Sequence, residues 1–226
     1  MPNHITNKLT IVAENAERLN EVLETLKTDE QEFDFNTLIP MPEELVINAF
    51  GHSKEELDYA RTHEAYDADE CGKLFGERFS EEMFLNARAQ ALNMDKYGYP
   101  TWYEWSCTNW GTKWNAYDID VYRNSDTEVI ITFNTAWSAP IEIYNALAEK
   151  FDDIEINVLW ADEDMGYNCG DGYGSDGDFG YNMPEGGSDE AYEIYFECNE
   201  WARDEYVKVN GEWRYIDDLE DEEADS

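Results

Sequence analysis

Carboxylates are the side chains present in sufficient number to act together: 53 Asp and Glu stand against 15 Lys and Arg in 226 residues, a net charge of −38. One stretch, DEDMGYNCGDGYGSDGD at Asp162–Asp178, mixes acids and glycines as hard-cation loops do. Its register does not fit the calcium helix-loop-helix pattern, because Tyr173 and Ser175 fall where acids are required and no glutamate closes the twelfth position. It therefore reads as a flexible acidic loop whose glycines make turns. His4, His52 and His63 are too few for a histidine metal site, and Cys71, Cys107, Cys169 and Cys198 lack the short spacing of a zinc pair. No phosphate-binding glycine motif, serine nucleophile elbow or paired-metal signature occurs. A nucleophile-base pair such as Cys107 with His4 depends wholly on the fold bringing them together. The expectation is a non-enzyme with no cofactor and no metal; a hydrolase working through two carboxylates is the weakest alternative.

Charge distribution carries more information than charge total. Residues 151–226 hold 25 acids and 3 bases, a net −22, yet keep Trp, Tyr, Phe and Ile throughout. Acidic tails that stay unfolded are poor in aromatics, so these acids are expected on a folded surface. The residues that would form it are Asp162, Glu163, Asp164, Asp171, Asp176, Asp178, Asp189, Glu190, Glu193, Glu197, Glu200, Asp204 and Glu205. Such a chain offers no basic stripe for phosphates and is repelled by anionic lipid, so neither nucleic acid nor membrane is an expected direct partner. Widely spaced cysteines and a start without a signal-peptide pattern point to a reducing cytoplasm.

The elements that must position these residues follow from periodicity. Alternation predicts a strand over Asn3–Ala13, and the three-four spacing of Leu19, Val22, Leu23 and Leu26 a helix over Glu14–Lys27 with Asn15 as cap. Phe33–Leu45, with Pro40 and Pro42, reads as an irregular segment packed on the core. Helical patterns fill Ser53–Ala91, each opened by a serine cap at Ser53 and Ser80, with Met83, Phe84, Ala87 and Ala91 as a core stripe. Four of the eight tryptophans fall in Thr101–Tyr117, read as a short helix stopped by Gly111 and turning into a strand, with Trp110 and Trp114 as packing. The same corner could serve instead as an aromatic binding platform. Strands over Tyr117–Arg123 and Thr127–Trp137, a helix over Ser138–Lys150 and a strand over Ile154–Trp160 complete the core. A further strand over Tyr192–Glu197 and a hairpin over Tyr206–Ile216, turning at Asn210-Gly211, would extend the sheet or form a satellite.

The resulting fold class is α+β: a ferredoxin-like βαββαβ antiparallel sheet with an inserted helical subdomain and an acidic C-terminal β extension. The expected domains are 1–165 with the insertion at about 48–99, then 166–216, then an acidic tail at 217–226.

Four segments carry a resemblance: PNHITNKLTI at Pro2–Ile11, FDFNTLIPMPEEL at Phe33–Leu45, WGTKWNAY at Trp110–Tyr117 and NTAWSAP at Asn134–Pro140. In combination they resemble the YubB-like family of phage and conjugative-plasmid proteins over about residues 1–165. The resemblance implies a ferredoxin-like domain and brings no catalytic residues. Mobile elements meet host restriction and CRISPR systems on entry, which gives a folded array of carboxylates an occupation. The expected function is an inhibitor that imitates nucleic-acid charge and fills the basic cleft of a host defence protein. The alternative is an acidic interaction module that binds its partner through the aromatic corner.

Overall fold

The computed structural model describes residues 2–217 and 219, so most of the acidic tail expected at 217–226 lies outside the described residues. Strand β1, His4–Val12, is central and buries Ile5, Asn7, Leu9 and Ile11 on one face. Helix α1, Ala16–Leu26, begins where Asn15 accepts from the Arg18 amide and buries Leu19, Val22 and Leu26. After 3-10 turns at Phe35–Thr37 and Glu43–Leu45 come α2, Lys54–Thr62, α3, Ala68–Phe75, and α4, Glu81–Tyr97. Ser53 and Glu56 form the reciprocal capping box of α2, and Ser80 caps α4. Tyr59, Ala60, Cys71, Phe79, Phe84 and Ala87 give this insertion a small core of its own.

Helix α5, Trp102–Asn109, leads into β2, Tyr117–Arg123, β3, Glu128–Ala136, α6, Ile141–Lys150, and β4, Glu155–Asp162. The four strands stand in the order β2-β3-β1-β4, every pair antiparallel, as a ferredoxin-like unit requires. Ile5, Leu9 and Ile11 of β1, Val129, Ile131 and Phe133 of β3, and Ile156, Val158 and Trp160 of β4 share one core with α1 and α6.

Two expectations fail beyond β4. The glycine-rich segment is no loop: β5, Gly170–Ser175, and β6, Asp178–Asn182, add two strands to the main sheet, giving β2-β3-β1-β4-β5-β6. The turn between them is Asp176-Gly177, both at positive φ (52° and 83°), which matches the twist of a two-residue hairpin. Gly170, Gly172 and Gly174 make the face that meets the core, and side chains of other strands occupy the space a Cβ would need. The expected strand at Tyr192–Glu197 is instead part of α7, Asp189–Cys198. Its Ser188 accepts from the Ala191 amide, and Ala191, Ile194 and Tyr195 form one helical face while Phe196 is buried against Tyr206 and Trp213, an arrangement that outweighs the apparent alternation. The hairpin at Asn210-Gly211 does form, as β7, Tyr206–Val209, with β8, Glu212–Tyr215, in a separate two-stranded sheet.

Helices α1 and α6 cover one face of the main sheet, and Tyr144 of α6 meets Phe179 of β6 at 5.6 Å between ring centroids. Helix α7 packs on the other face, against Leu159 and Ala161 of β4. None of the described helices is long and apolar enough to cross a membrane.

The four thiols are free, and they differ in access. Cys107 is exposed on α5, Cys71 and Cys169 are buried, and Cys198 is partly covered. Burial pushes the Cys169 thiol up to about 11 and the Cys198 thiol upward as well, which starves both of thiolate. Titration with a chromogenic disulfide reagent at neutral pH should therefore find one prompt thiol, lost in Cys107→Ser, and four in denaturant. A prompt reaction at Cys169 in the native protein would mean that α7 does not hold its place on the sheet.

Candidate interaction surfaces

The acids expected to form one surface divide into three groups. Asp189, Glu190, Glu193 and Glu197 stand exposed along α7, and Glu200 and Asp204 continue the row on the 3-10 turn Glu200–Asp204, with Glu205 half-covered. Asp171 is also half-covered; the Asn182 amide donates to it at 3.4 Å and to Glu190 at 3.3 Å, tying β5 to α7. Asp176 and Asp178 sit at the tip of the β5–β6 hairpin beside Glu155, whereas Asp162–Asp164 follow the opposite end of β4. Seven residues of strand separate the two ends, roughly 23 Å, so hairpin tip and strand end cannot form one patch.

Asp162 is a correction. It is only 5% exposed and accepts from the Asn3 amide at 3.0 Å, the Asn168 amide at 2.9 Å and the Asp164 backbone at 3.0 Å. A buried carboxylate held by three donors ties the β1 end to the loop after β4 and is not available to a partner. Glu163 is exposed, and Asp164 accepts a second Asn3 hydrogen at 3.1 Å.

Bases of the chain meet part of this charge. Arg203 reaches Glu193 at 2.7 Å and Glu197 at 4.0 Å, and Lys208 pairs with Asp189, holding that carboxyl below the usual range. Lys8 approaches Glu200 at 3.6 Å and donates to the Glu197 carbonyl in the last turn of α7, where a cation suits the helix dipole. At the hairpin end, Arg18 forks Asp153 with two bonds of 2.7 Å, depressing its pKa. Among the described residues no group of three or more His, Cys, Asp or Glu is placed to hold a metal ion.

The second surface is the aromatic corner, where the quoted motifs converge. Trp110 donates its indole N–H to the Ile39 carbonyl at 2.9 Å, and the Asn115 carbonyl oxygen accepts from the Phe35 amide at 2.9 Å. Thr112 donates to the Ala136 carbonyl at 2.8 Å, and Ser138 to the Gly111 carbonyl at 2.5 Å. His4 meets the Tyr117 hydroxyl at 2.6 Å, while buried Asn7 donates to Thr135 and accepts from Tyr144, each at 2.9 Å. These residues therefore fasten the start of the chain, the Phe33–Leu45 segment and the β2–β3 hairpin to one another. Gly111, at φ +76°, follows the helix end at Asn109 and lies against the Ile141 backbone.

The tryptophans divide between core and surface. Trp105 and Trp110 are buried edge-to-face at 5.5 Å, but Trp114 and Trp137 are 36% and 42% exposed. Lys113 lies over Trp137, Trp114 and Tyr103, with Nζ 4.5, 4.9 and 5.8 Å from the ring centroids. Beside it, Met41, Val46, Trp102 and Trp114 line a hollow of about 410 Å³.

Within the chain, residues 116–203 match a family model described as a ferredoxin-like domain in Api92-like protein. The matched range runs from just before β2 into the 3-10 turn after α7, so the glycine-rich hairpin and α7 fall inside it, although the resemblance read from the sequence stops near residue 165. No curated protein matches. Among solved structures, a crystal structure of a protein api92 from Yersinia pseudotuberculosis is similar at 11% identity, covering 81% of this chain and 99% of that one, with a TM-score of 0.41.

Proposed function

We propose that this chain is a non-enzymatic inhibitor, of phage or plasmid origin and acting in the host cytoplasm, that offers carboxylates in place of phosphates to the basic cleft of a host restriction or CRISPR protein. The observation that carries the reading is the spacing of charge on a folded support. Helix α7 places four acids, Asp189, Glu190, Glu193 and Glu197, in 10 residues, or about one per 4 Å of axis at 1.5 Å per residue, close to the ~3.4 Å per phosphate along one strand of duplex. Packing of Ile194 and Tyr195 in the cluster under α7 fixes the helix, so a partner would order the acidic side chains but not the backbone that carries them. The partial pairing with Arg203 and Lys208 is with exposed side chains that a basic cleft can replace.

The test is displacement of labelled duplex DNA from a panel of purified restriction and CRISPR effector proteins. Displacement by this chain should weaken steeply with salt, because exposed charges are screened beyond about 8 Å at physiological ionic strength. Changing Glu193, Glu197, Glu200 and Asp204 together to Gln or Asn should raise the concentration needed by at least about tenfold while leaving the melting temperature equal or higher. The matching set in the insertion, Glu55, Glu64, Asp69 and Glu77, all exposed, should change it little. Equal displacement by both variants would sink the mimicry reading.

A further inference from the structure

We infer that the groove between the helical insertion and the aromatic corner is a docking site for a basic, amphipathic helix of a partner protein. The inference uses the charge of the chain but not nucleic-acid mimicry, and it concerns a surface distinct from α7.

Helix α4 is apolar on two sides. Phe84 and Ala87 face the insertion core and Ala91 is buried a turn further on, while Leu85, Ala89 and Leu92 recur at four and three residues along the outer side. Leu85 is 57% exposed and Leu92 48% exposed, and Val46 beside them is 66% exposed. A four-three row of this kind is what one helix presents to another. Leu85 and Ala89 line a hollow of about 540 Å³ together with Val46 and Trp102, and Leu92 continues the row along the helix from it. Val46 and Trp102 also line the neighbouring hollow with Met41 and Trp114, so the two hollows adjoin across shared aliphatic and indole surface to make the groove, with Asn48, Asn86 and Asn115 supplying polar groups along it. An exposed apolar run with this shape marks a place for a partner's side chains.

Charge chooses the occupant. Glu43 and Lys113 both line the groove, but the Lys113 ammonium is already held over Trp114 and Trp137, whereas Glu81 and Glu82 stand exposed one turn before Leu85 and leave the rim acidic. A second copy of this chain would bring another −38 to a surface already negative, which opposes self-association. A helix with leucine-like anchors on one face and Lys or Arg on the flanks satisfies both the floor and the rim.

A fluorescein-labelled 14-residue Leu/Lys peptide, with Leu at four-three spacing, tests this by anisotropy against the full-length protein. Two companion peptides complete the test: one of the same composition scrambled so that no apolar face forms, and one with Glu in place of Lys. The patterned basic peptide should bind, and the others should bind at least about tenfold more weakly. The double change Leu85→Gln with Leu92→Gln should weaken the patterned peptide by about tenfold or more at unchanged melting temperature, since each exposed leucine buried on binding is worth roughly that factor. The same double variant should displace duplex DNA as the parent does, while the α7 variant should bind the peptide within about twofold of the parent. No binding of the patterned peptide, equal binding of the scrambled one, or binding unaffected by the leucine changes would overturn the inference and leave the α7 reading standing. Dimerisation seen by sedimentation and abolished by the leucine changes would assign the groove to a second copy and overturn it as well.

Discussion

Gly170→Ala should destabilise the protein by roughly 2 to 3 kcal/mol or more, as overpacking of a filled core does, and Gly170→Val should prevent β5 from joining the sheet. A Cβ built on Gly170 would lie 2.1 Å from Cζ2 of Trp160, an indole that is itself only 1% exposed. At Gly172 the same atom would meet Phe179 at 2.5 Å and Val158 at 2.9 Å, and at Gly174 it would meet Ile156 at 2.8 Å. Three consecutive inward positions of one strand are therefore filled by residues of its neighbours. Gly180 supplies the comparison, because a Cβ there has nothing within 4 Å; Gly180→Ala should be near neutral, or stabilising by a few tenths of a kcal/mol through the unfolded chain. Urea unfolding followed by tryptophan fluorescence distinguishes the two sites, since Trp160 reports on the contact itself. A Gly170→Ala protein as stable as Gly180→Ala would mean that the glycine-rich segment does not lie on β4.

This strand also explains why the last third was hard to read from sequence. Strand prediction rests on side chains that alternate, and β5 alternates by lacking them: Gly170, Gly172 and Gly174 face the core while Asp171, Tyr173 and Ser175 face outward. Six acids and five glycines between Asp162 and Asp178 suggest a loop, yet the two-residue period and the Asp-Gly turn were both present. The same chemistry at Asn210-Gly211, flanked by Val and Trp, was legible as a hairpin and forms one. For α7 the competing signals were Tyr192, Ile194 and Phe196 at period two against Ala191, Ile194 and Tyr195 at three and four. Ser188 with two acids in the first turn decides for the helix. By contrast β1, α1, the β2–β3 hairpin, α6 and β4 each carry a single strong period, and the antiparallel order they imply is the one observed.

The acidic surface was legible as composition but not as geometry. Nothing in the order of residues separates Asp162 from Glu163, but the amides of Asn3 and Asn168 close over the first and leave the second exposed. Nor could the position of Asp176 and Asp178 at the far end of the sheet be known before β5 was recognised as a strand. The outward apolar row of α4 was present in the sequence as Leu85, Ala89 and Leu92. It was masked by the stronger stripe of Phe84, Ala87 and Ala91 on the opposite side.

Trp110→Ala should cost about 3 to 5 kcal/mol, whereas Trp114→Ala should cost about 1 to 2 kcal/mol, within the ordinary range of single changes. The sequence presents these tryptophans as equivalent members of one packing block, and the fold separates them. Trp110 is 4% exposed, lies edge-to-face with Trp105 at 5.5 Å and Phe35 at 5.7 Å, and spends its indole N–H on the Ile39 carbonyl. Its removal opens a cavity at the junction of α5, the Phe33–Leu45 segment and β3, and leaves that carbonyl without its donor. Trp110→Phe, which keeps most of the apolar volume but not the N–H, should fall between parent and alanine variant. Trp114 keeps contacts with Lys113 and Tyr117 but leaves 36% of its surface to water, so its loss removes less buried area than that of Trp110. It should instead weaken any ligand seated in the groove beside Val46 and Trp102. Thermal unfolding of both alanine variants, with peptide anisotropy on each folded protein, decides the matter. If Trp114→Ala proves as damaging to stability as Trp110→Ala, the exposed half of the corner is part of the core, and no partner can use it.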